Sequence, residues 1–107
     1  MKKLKWKAPL DPVELKDYVV DWTDEMTASV DTIATSVFEL PAEAIADGLE
    51  IDSQSNTTLI GTVWFNVPDS GDQLTILGKG PYEVEHTITT AAGRTLNVSA
   101  RLTVLDK

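Results

Sequence analysis

The sequence predicts an all-β fold, an antiparallel sandwich of about seven short strands, and two observations carry that prediction. Thr, Val and Ile supply 29 of the 107 residues, and β-branched side chains suit a pleated, half-buried surface better than a helix. Runs of alternating apolar and polar residues recur between clusters of Gly, Pro, Asn and Asp. About seven such runs in roughly 100 residues is the count of a two-sheet sandwich.

Composition narrows the functional classes. The chain carries 17 acidic and 9 basic side chains, a formal charge of -8, one histidine and no cysteine. Disulfides and thiolate metal sites are excluded, so stability rests on the hydrophobic core. An acidic body is a poor match for a phosphate backbone, whose non-specific affinity needs Lys and Arg, so no direct nucleic-acid contact is expected. No apolar run reaches the roughly 20 residues of a membrane span, and the basic start lacks the apolar stretch of a signal peptide. No membrane partner and a cytoplasmic site of synthesis are the expectations. Without repeat, low-complexity tract or linker, the chain reads as residues 1–10, a basic arm or first strand, and residues 11–107, a single sandwich domain.

Charge is unevenly spread. Residues 1–16 hold five lysines against two acids, net +3, and residues 17–107 hold four basic against fifteen acidic groups, net -11. Within the arm, Leu4, Trp6, Ala8 and Leu10 alternate with Lys3, Lys5 and Lys7, a period-two pattern with one apolar and one cationic edge. Two readings stand side by side: the domain's own first strand, with lysines blunting a sheet edge, or a detachable arm that adds to the sheet edge of an acidic neighbour.

Asp11-Pro12-Val13-Glu14 has the capping residue, first-turn proline and acid of one helical turn. Lys16 to Trp22 alternates as a strand. Thr32 to Leu40 is apolar on both faces and reads as a strand inside a sheet. Pro41 to Asp47, closed by Gly48, reads as a short helix or a loop. Leu49 to Asp52 and Thr57 to Val67 are extended. Residues 66–81 read as a long surface connection, with a short strand at Leu74 to Leu77. Tyr82 to Thr89 and Thr95 to Leu105 alternate cleanly, and Ala91-Ala92-Gly93-Arg94 joins them as a hairpin whose Gly93 supplies a positive φ. Gly80-Pro81-Tyr82 suggests a tyrosine corner with the phenol bonded to backbone carbonyls. The architecture is therefore immunoglobulin-like, with Val20 or Trp22, Phe38 and Val84 filling the centre where a disulfide would sit. Architecture of this kind carries no function by itself.

Chemistry-bearing constellations are sparse. The lone histidine, His86, falls on the apolar phase of its strand and reads as a packed or rim residue with one hydrogen-bond partner. Asp21, Asp24, Glu25 and Asp31 lack the ligand spacing and turn glycine of a calcium loop and read as a solvated acidic loop. Gly78-Lys79-Gly80 is too short to cradle a phosphate. Trp22 and Trp64 read as core residues rather than sugar-stacking platforms. No catalytic, cofactor or metal residue is assigned, and no enzyme is expected.

Several blocks together resemble a known family. Tyr18-Val19-Val20-Asp21-Trp22-Thr23-Asp24, Asp31-Thr32-Ile33-Ala34-Thr35-Ser36, Val63-Trp64, Gly80-Pro81-Tyr82-Glu83-Val84 and Thr90-Ala91-Ala92-Gly93-Arg94 are similar to the small virion proteins of tailed phages and prophages called fibre-tail adaptor or neck proteins. Their pattern runs Y-x-x-D-W-S/T-D, D-T-I-x-x-S, V-W, G-x-x-Y-x-V and T-x-x-G-R. The similarity spans roughly residues 11 to 105. Phe38 stands where that family usually has tryptophan, and residues 66–79 replace a short glycine turn by a long acidic loop. The resemblance implies an immunoglobulin-like structural protein of the virion neck or tail, made in the host cytoplasm and present in several copies in a ring. Its implied partners are portal or connector, tail and fibre proteins, and it implies no cofactor. A closing ring needs a heterologous contact. The arm residues Lys3, Leu4, Lys5, Trp6 and Lys7 are the expected partner-binding set, Leu4 and Trp6 filling pockets while the lysines steer. The 66–79 loop, with Asp69 and Asp72, is the second. A bacterial surface or carbohydrate-binding sandwich is the alternative.

Overall fold

The computed structural model describes residues 2–106, the side chain of Lys2 excepted. Met1 and Lys107, which the two ranges above include, lie outside the described residues. Among the described residues the elements run β1 (Lys2–Lys5), β2 (Lys16–Asp21), α1 (Thr23–Ser29), β3 (Ile33–Glu39), α2 (Ala42–Ala46), β4 (Glu50–Asn56), β5 (Ile60–Asn66), α3 (Ser70–Thr75), β6 (Tyr82–Thr90) and β7 (Thr95–Leu102).

The strands form a four-stranded sheet ordered β1-β7-β6-β3 and a three-stranded sheet ordered β2-β5-β4. Grouping β2-β5-β4 apart from β7-β6-β3 is the two-sheet connectivity of an immunoglobulin domain, as the sequence predicts. One pairing departs from the antiparallel expectation: β1 runs parallel to β7, from Lys2 opposite Val98 to Lys5 opposite Arg101. The chain continues alongside, with Trp6 N–H donating to Arg101 O at 3.1 Å and Leu10 N–H to Thr103 O at 2.9 Å. In this structure the arm is therefore the domain's own first strand.

Its docking is driven by one ring. Trp6 is only 8 % exposed and packs against Tyr18 and Phe65 at centroid distances of 4.9 and 5.8 Å. Its Nε1–H donates to Val19 O at 2.8 Å, and Tyr18 Oη–H donates back to Ala8 O at 2.9 Å. Val19 lies on β2, an edge strand of the other sheet, so the indole covers that edge and ties the sheets together. Burial, aided by the carboxylates of Glu14 and Asp17, pushes the Tyr18 hydroxyl up to about 12. Inward positions of β5, β6 and β7, including Val63, Phe65, Val84, Ile88, Val98 and Ala100, are fully buried and complete the core with Trp22, Met26 and Phe38.

Several local elements differ from the sequence reading, each for a physical reason. β3 lies at a sheet edge, not inside. The Gln54 side chain from β4 occupies that edge, its Oε1 accepting the Phe38 N–H at 2.7 Å. A register shift between Ile33 and Thr35 rephases β3, which lets Ile33 and Phe38, five positions apart, both face the core. β4 runs on to Asn56, past the expected end at Asp52. Asp11 to Glu14 forms a single hydrogen-bonded turn, capped where Asp11 Oδ1 accepts Val13 N–H at 3.0 Å, but no helix. The stretch expected as an acidic loop contains α1: Asp21 Oδ1 accepts the Thr23 N–H at 2.8 Å, and Met26 anchors the helix at 1 % exposure. Inside 66–81 the expected strand is helix α3. Asp69 Oδ1 caps it by accepting N–H groups of Gly71 and Asp72 at 2.8 and 3.1 Å, a bond pair worth about 1 kcal/mol. Of the helix and the loop left open at 41–47 the structure has the short helix α2, and the 91–94 hairpin and the positive φ of Gly93 are as predicted.

Replacing Trp6 by Ala should lower the unfolding free energy by about 3–5 kcal/mol in urea titration. Trp6→Phe, which keeps a ring but loses the Nε1 bond, should cost roughly 1–2 kcal/mol. A Trp6→Ala cost under about 1 kcal/mol would mean that the arm does not sit on its own body.

Candidate partner interface

The most reactive-looking pair in the molecule lies at the centre of the sandwich. Ser36 Oγ and His86 Nε2 are 2.7 Å apart, and Trp22 Nε1 is 3.3 Å from His86 Nδ1. The His86 ring stacks on Phe38 at 3.9 Å with an interplanar angle of 9°. The indole N–H donates, so Nδ1 accepts and Nε2 holds the proton that it gives to Ser36. A general base toward serine needs the opposite tautomer, in which Nε2 accepts the hydroxyl proton. No solvent reaches the ring, which is 0 % exposed. The trio works as a satisfied polar insert of the core, with two partners for the ring where the sequence predicts one. It also fixes Gly61 on β5, where a Cβ would lie 2.6 Å from both Cε1 and Nε2 of the imidazole.

Among the described residues no group of three or more His, Asp or Glu side chains is placed to hold a metal ion, and no helix is long and apolar enough to cross a membrane. Asp31 is instead a structural hub: its Oδ1 accepts the N–H groups of Thr32 and Ala92 at 2.8 and 3.1 Å, and Arg94 lies 3.4 Å from Oδ2. The Thr90 hydroxyl foremost, with those amides and Arg94, holds its carboxyl below the usual range.

The residues predicted to bind partners fall at two places. On β1 and just beyond it, Lys3, Lys5 and Lys7 are exposed while Leu4 is half-buried and Trp6 buried. Lys3, Leu4 and Lys5 flank a groove of about 290 Å³ completed by Glu83 and Arg101. The Ser99 hydroxyl foremost, with Arg101 at 3.2 Å and the field of Lys3, holds the Glu83 carboxyl low.

Asp69 and Asp72 sit together on α3. Asp69 is exposed and spends one oxygen on the helix cap, and Asp72 is half-buried against the turn at Gly48. A Cβ at that glycine, whose φ is 97°, would come within 2.6 Å of the Asp72 side chain. The same end carries apolar side chains that the sequence reading missed. Val13 and Leu74 are 72 % and 75 % exposed, and they line a cleft of about 120 Å³ with Asp11, Gln73, Leu77 and Asp106. Nothing in the period-two pattern marks them, because they lie on a turn and a capped helix. Nearby, Tyr82 Oη–H donates to Asp47 Oδ2 at 2.6 Å, so the corner tyrosine bonds a carboxylate and not the expected backbone carbonyls. That bond foremost, with Lys79 at 3.2 Å, holds the Asp47 carboxyl low. Trp64, expected in the core, faces outward on β5 between Asp17 and Ser53, because Val63 and Phe65 take the inward phase.

A family model described as podophage GP4 fibre-tail adaptor protein gp77 matches residues 10–103 of the chain. No curated protein matches significantly.

Burial pushes the His86 pKa from 6.5 down to about 4, so the unfolded chain binds a proton there that the folded chain refuses. This contribution is whole above pH 6.5 and is lost as pH falls toward 4, amounting to about 3 kcal/mol. The pH dependence of unfolding over that window should flatten by this amount in His86→Gln relative to wild type. Identical slopes would show that the ring is not held neutral. Gly61→Ala should cost about 1–3 kcal/mol by crowding the imidazole, read from the shift of the urea midpoint.

Proposed function

The chain belongs to the podophage fibre-tail adaptor family, and from that premise we propose that it joins connector or tail proteins to fibres through protein–protein contacts alone. Membership indicates a structural virion component of the phage tail region. In the proposed arrangement several copies form a ring, after synthesis in the host cytoplasm, with portal or connector, tail and fibre proteins as neighbours.

One observation carries the proposed subunit contact: charge is segregated onto opposite features of the same small domain. Lys3 and Lys5 lie on an edge strand with Lys7 just beyond it, and at the α3 end Asp106 lines the cleft of the exposed Val13 and Leu74 while Asp69 and Asp72 stand at the start of the same helix. A basic edge meeting an acidic, apolar-centred end on the next copy is a heterologous contact, and such a contact builds rings when its rotation closes. The lysines steer approach and fix register, and the apolar centre gives burial. Leu4 and Trp6 hold the edge in position from beneath. An exchanged arrangement, with Leu4 and Trp6 in the neighbour's Tyr18–Phe65 pocket, uses the same residues.

Particles made without this gene product should contain filled heads and lack attached fibres in electron micrographs. A normal fibre complement would overturn the adaptor role. Lys3→Glu, Lys5→Glu and Lys7→Glu together should leave the purified chain folded by circular dichroism while lowering its copy number in particles at least tenfold. Wild-type copy number in the triple variant would overturn the lysine-edge contact.

A further inference from the structure

Helix α1 ends in a Schellman turn, with Asp31 N–H donating to Met26 O at 2.9 Å and Val30 N–H to Thr27 O at 3.2 Å. That turn puts its first residue beyond the helix in the left-handed region, a position glycine normally takes. Here it is Val30, at φ 53° and ψ 54°, the one non-glycine residue with positive φ among the described residues. A β-branched side chain is strained in that region. No internal packing offsets the strain, since Val30 is 93 % exposed. Backbone outliers of this kind cluster at functional and contact sites.

The surroundings suit a contact. Beside Val30 lies a groove of about 390 Å³ lined by Met26, Thr27, Thr32, Leu59 and Ala91. Asp21 and Asp24 are exposed on the same end and Glu25 is half-buried, while Arg94 is drawn to Asp31. The end therefore presents an apolar knob and groove in an acidic field.

Resting on the adaptor reading above, we propose that Val30 and this groove dock a second virion protein of different sequence, one presenting an apolar pocket rimmed by Lys or Arg. Charge complementarity selects the basic rim. The lysine edge of a second copy is assigned above to the α3 end, which leaves the α1 end for the heterologous partner. The left-handed turn holds Val30 rigidly forward, so little side-chain freedom is lost on docking.

The test separates contact from fold. Val30→Gly relieves the strain and should raise the melting temperature of the purified chain by roughly 2–6 °C. When it is supplied in equal amount with wild type during assembly, it should be depleted from particles at least tenfold, as for a central contact residue. Val30→Asn, which tolerates the left-handed region but is polar, should behave alike, and Val30→Ile should enter as wild type. A more stable Val30→Gly chain that enters particles at parity overturns the proposal, and so does a lowered melting temperature, which would remove the strain premise. Depletion accompanied by weaker self-association of the purified variant would reassign the surface to a second copy and overturn it too. Absence of the wild-type chain from particles would instead overturn the adaptor reading itself.

Discussion

The fold depends on closing the sides of a two-sheet sandwich, and one tryptophan performs most of that on one side. Trp6 directly follows the first strand of one sheet, packs on Tyr18 and Phe65 of the other, and donates to a carbonyl at that sheet's edge. On the opposite side Gln54 serves the same purpose by binding the Phe38 amide. Open strand edges are templates for uncontrolled pairing, and here two of them are occupied from within the chain. The edge left at β1 is lined with lysines, which repel one another and admit an acidic surface.

Between the sheets the chain keeps a polar insert where related sandwiches place a disulfide. Trp22, His86 and Ser36 form a satisfied hydrogen-bonded row, and Gly61 gives it room. Every member has a partner, so the insert specifies how the sheets align without leaving an orphaned polar atom on the ring. Its tautomer and burial remove it from hydrolytic chemistry of the Ser-His kind. At the surface the arm presents cations, and both ends of the sandwich present acids and exposed apolar side chains.

Strands with strict alternation were legible from local order alone. Tyr82 to Thr90 lies as expected, the strand from Thr95 ends at Leu102 short of the expected Leu105, and Gly93 turns between the two. Less legible were α1 and α3, because each is under two turns long, α1 being held by the buried Met26 and α3 by the capping Asp69, features invisible to period-two alternation. Asp69 and Asp72 were legible as members of a prominent acidic segment, whereas the apolar Val13 and Leu74 beside them were not. Trp64 misled because hydrophobicity argues for burial, while its phase relative to Val63 and Phe65 decides its direction.

By itself the sequence determined an all-β sandwich, its strand count, its family and its separation of charge, because period-two patterning and net charge are properties of neighbours along the chain. Only the tertiary structure decided that β1 pairs with β7, that Trp6 covers the β2 edge, that Gln54 covers β3 and that Val30 stands strained in solvent. Those outcomes turn on contacts between residues far apart in the chain, where the same alternation permits several partners and packing selects one.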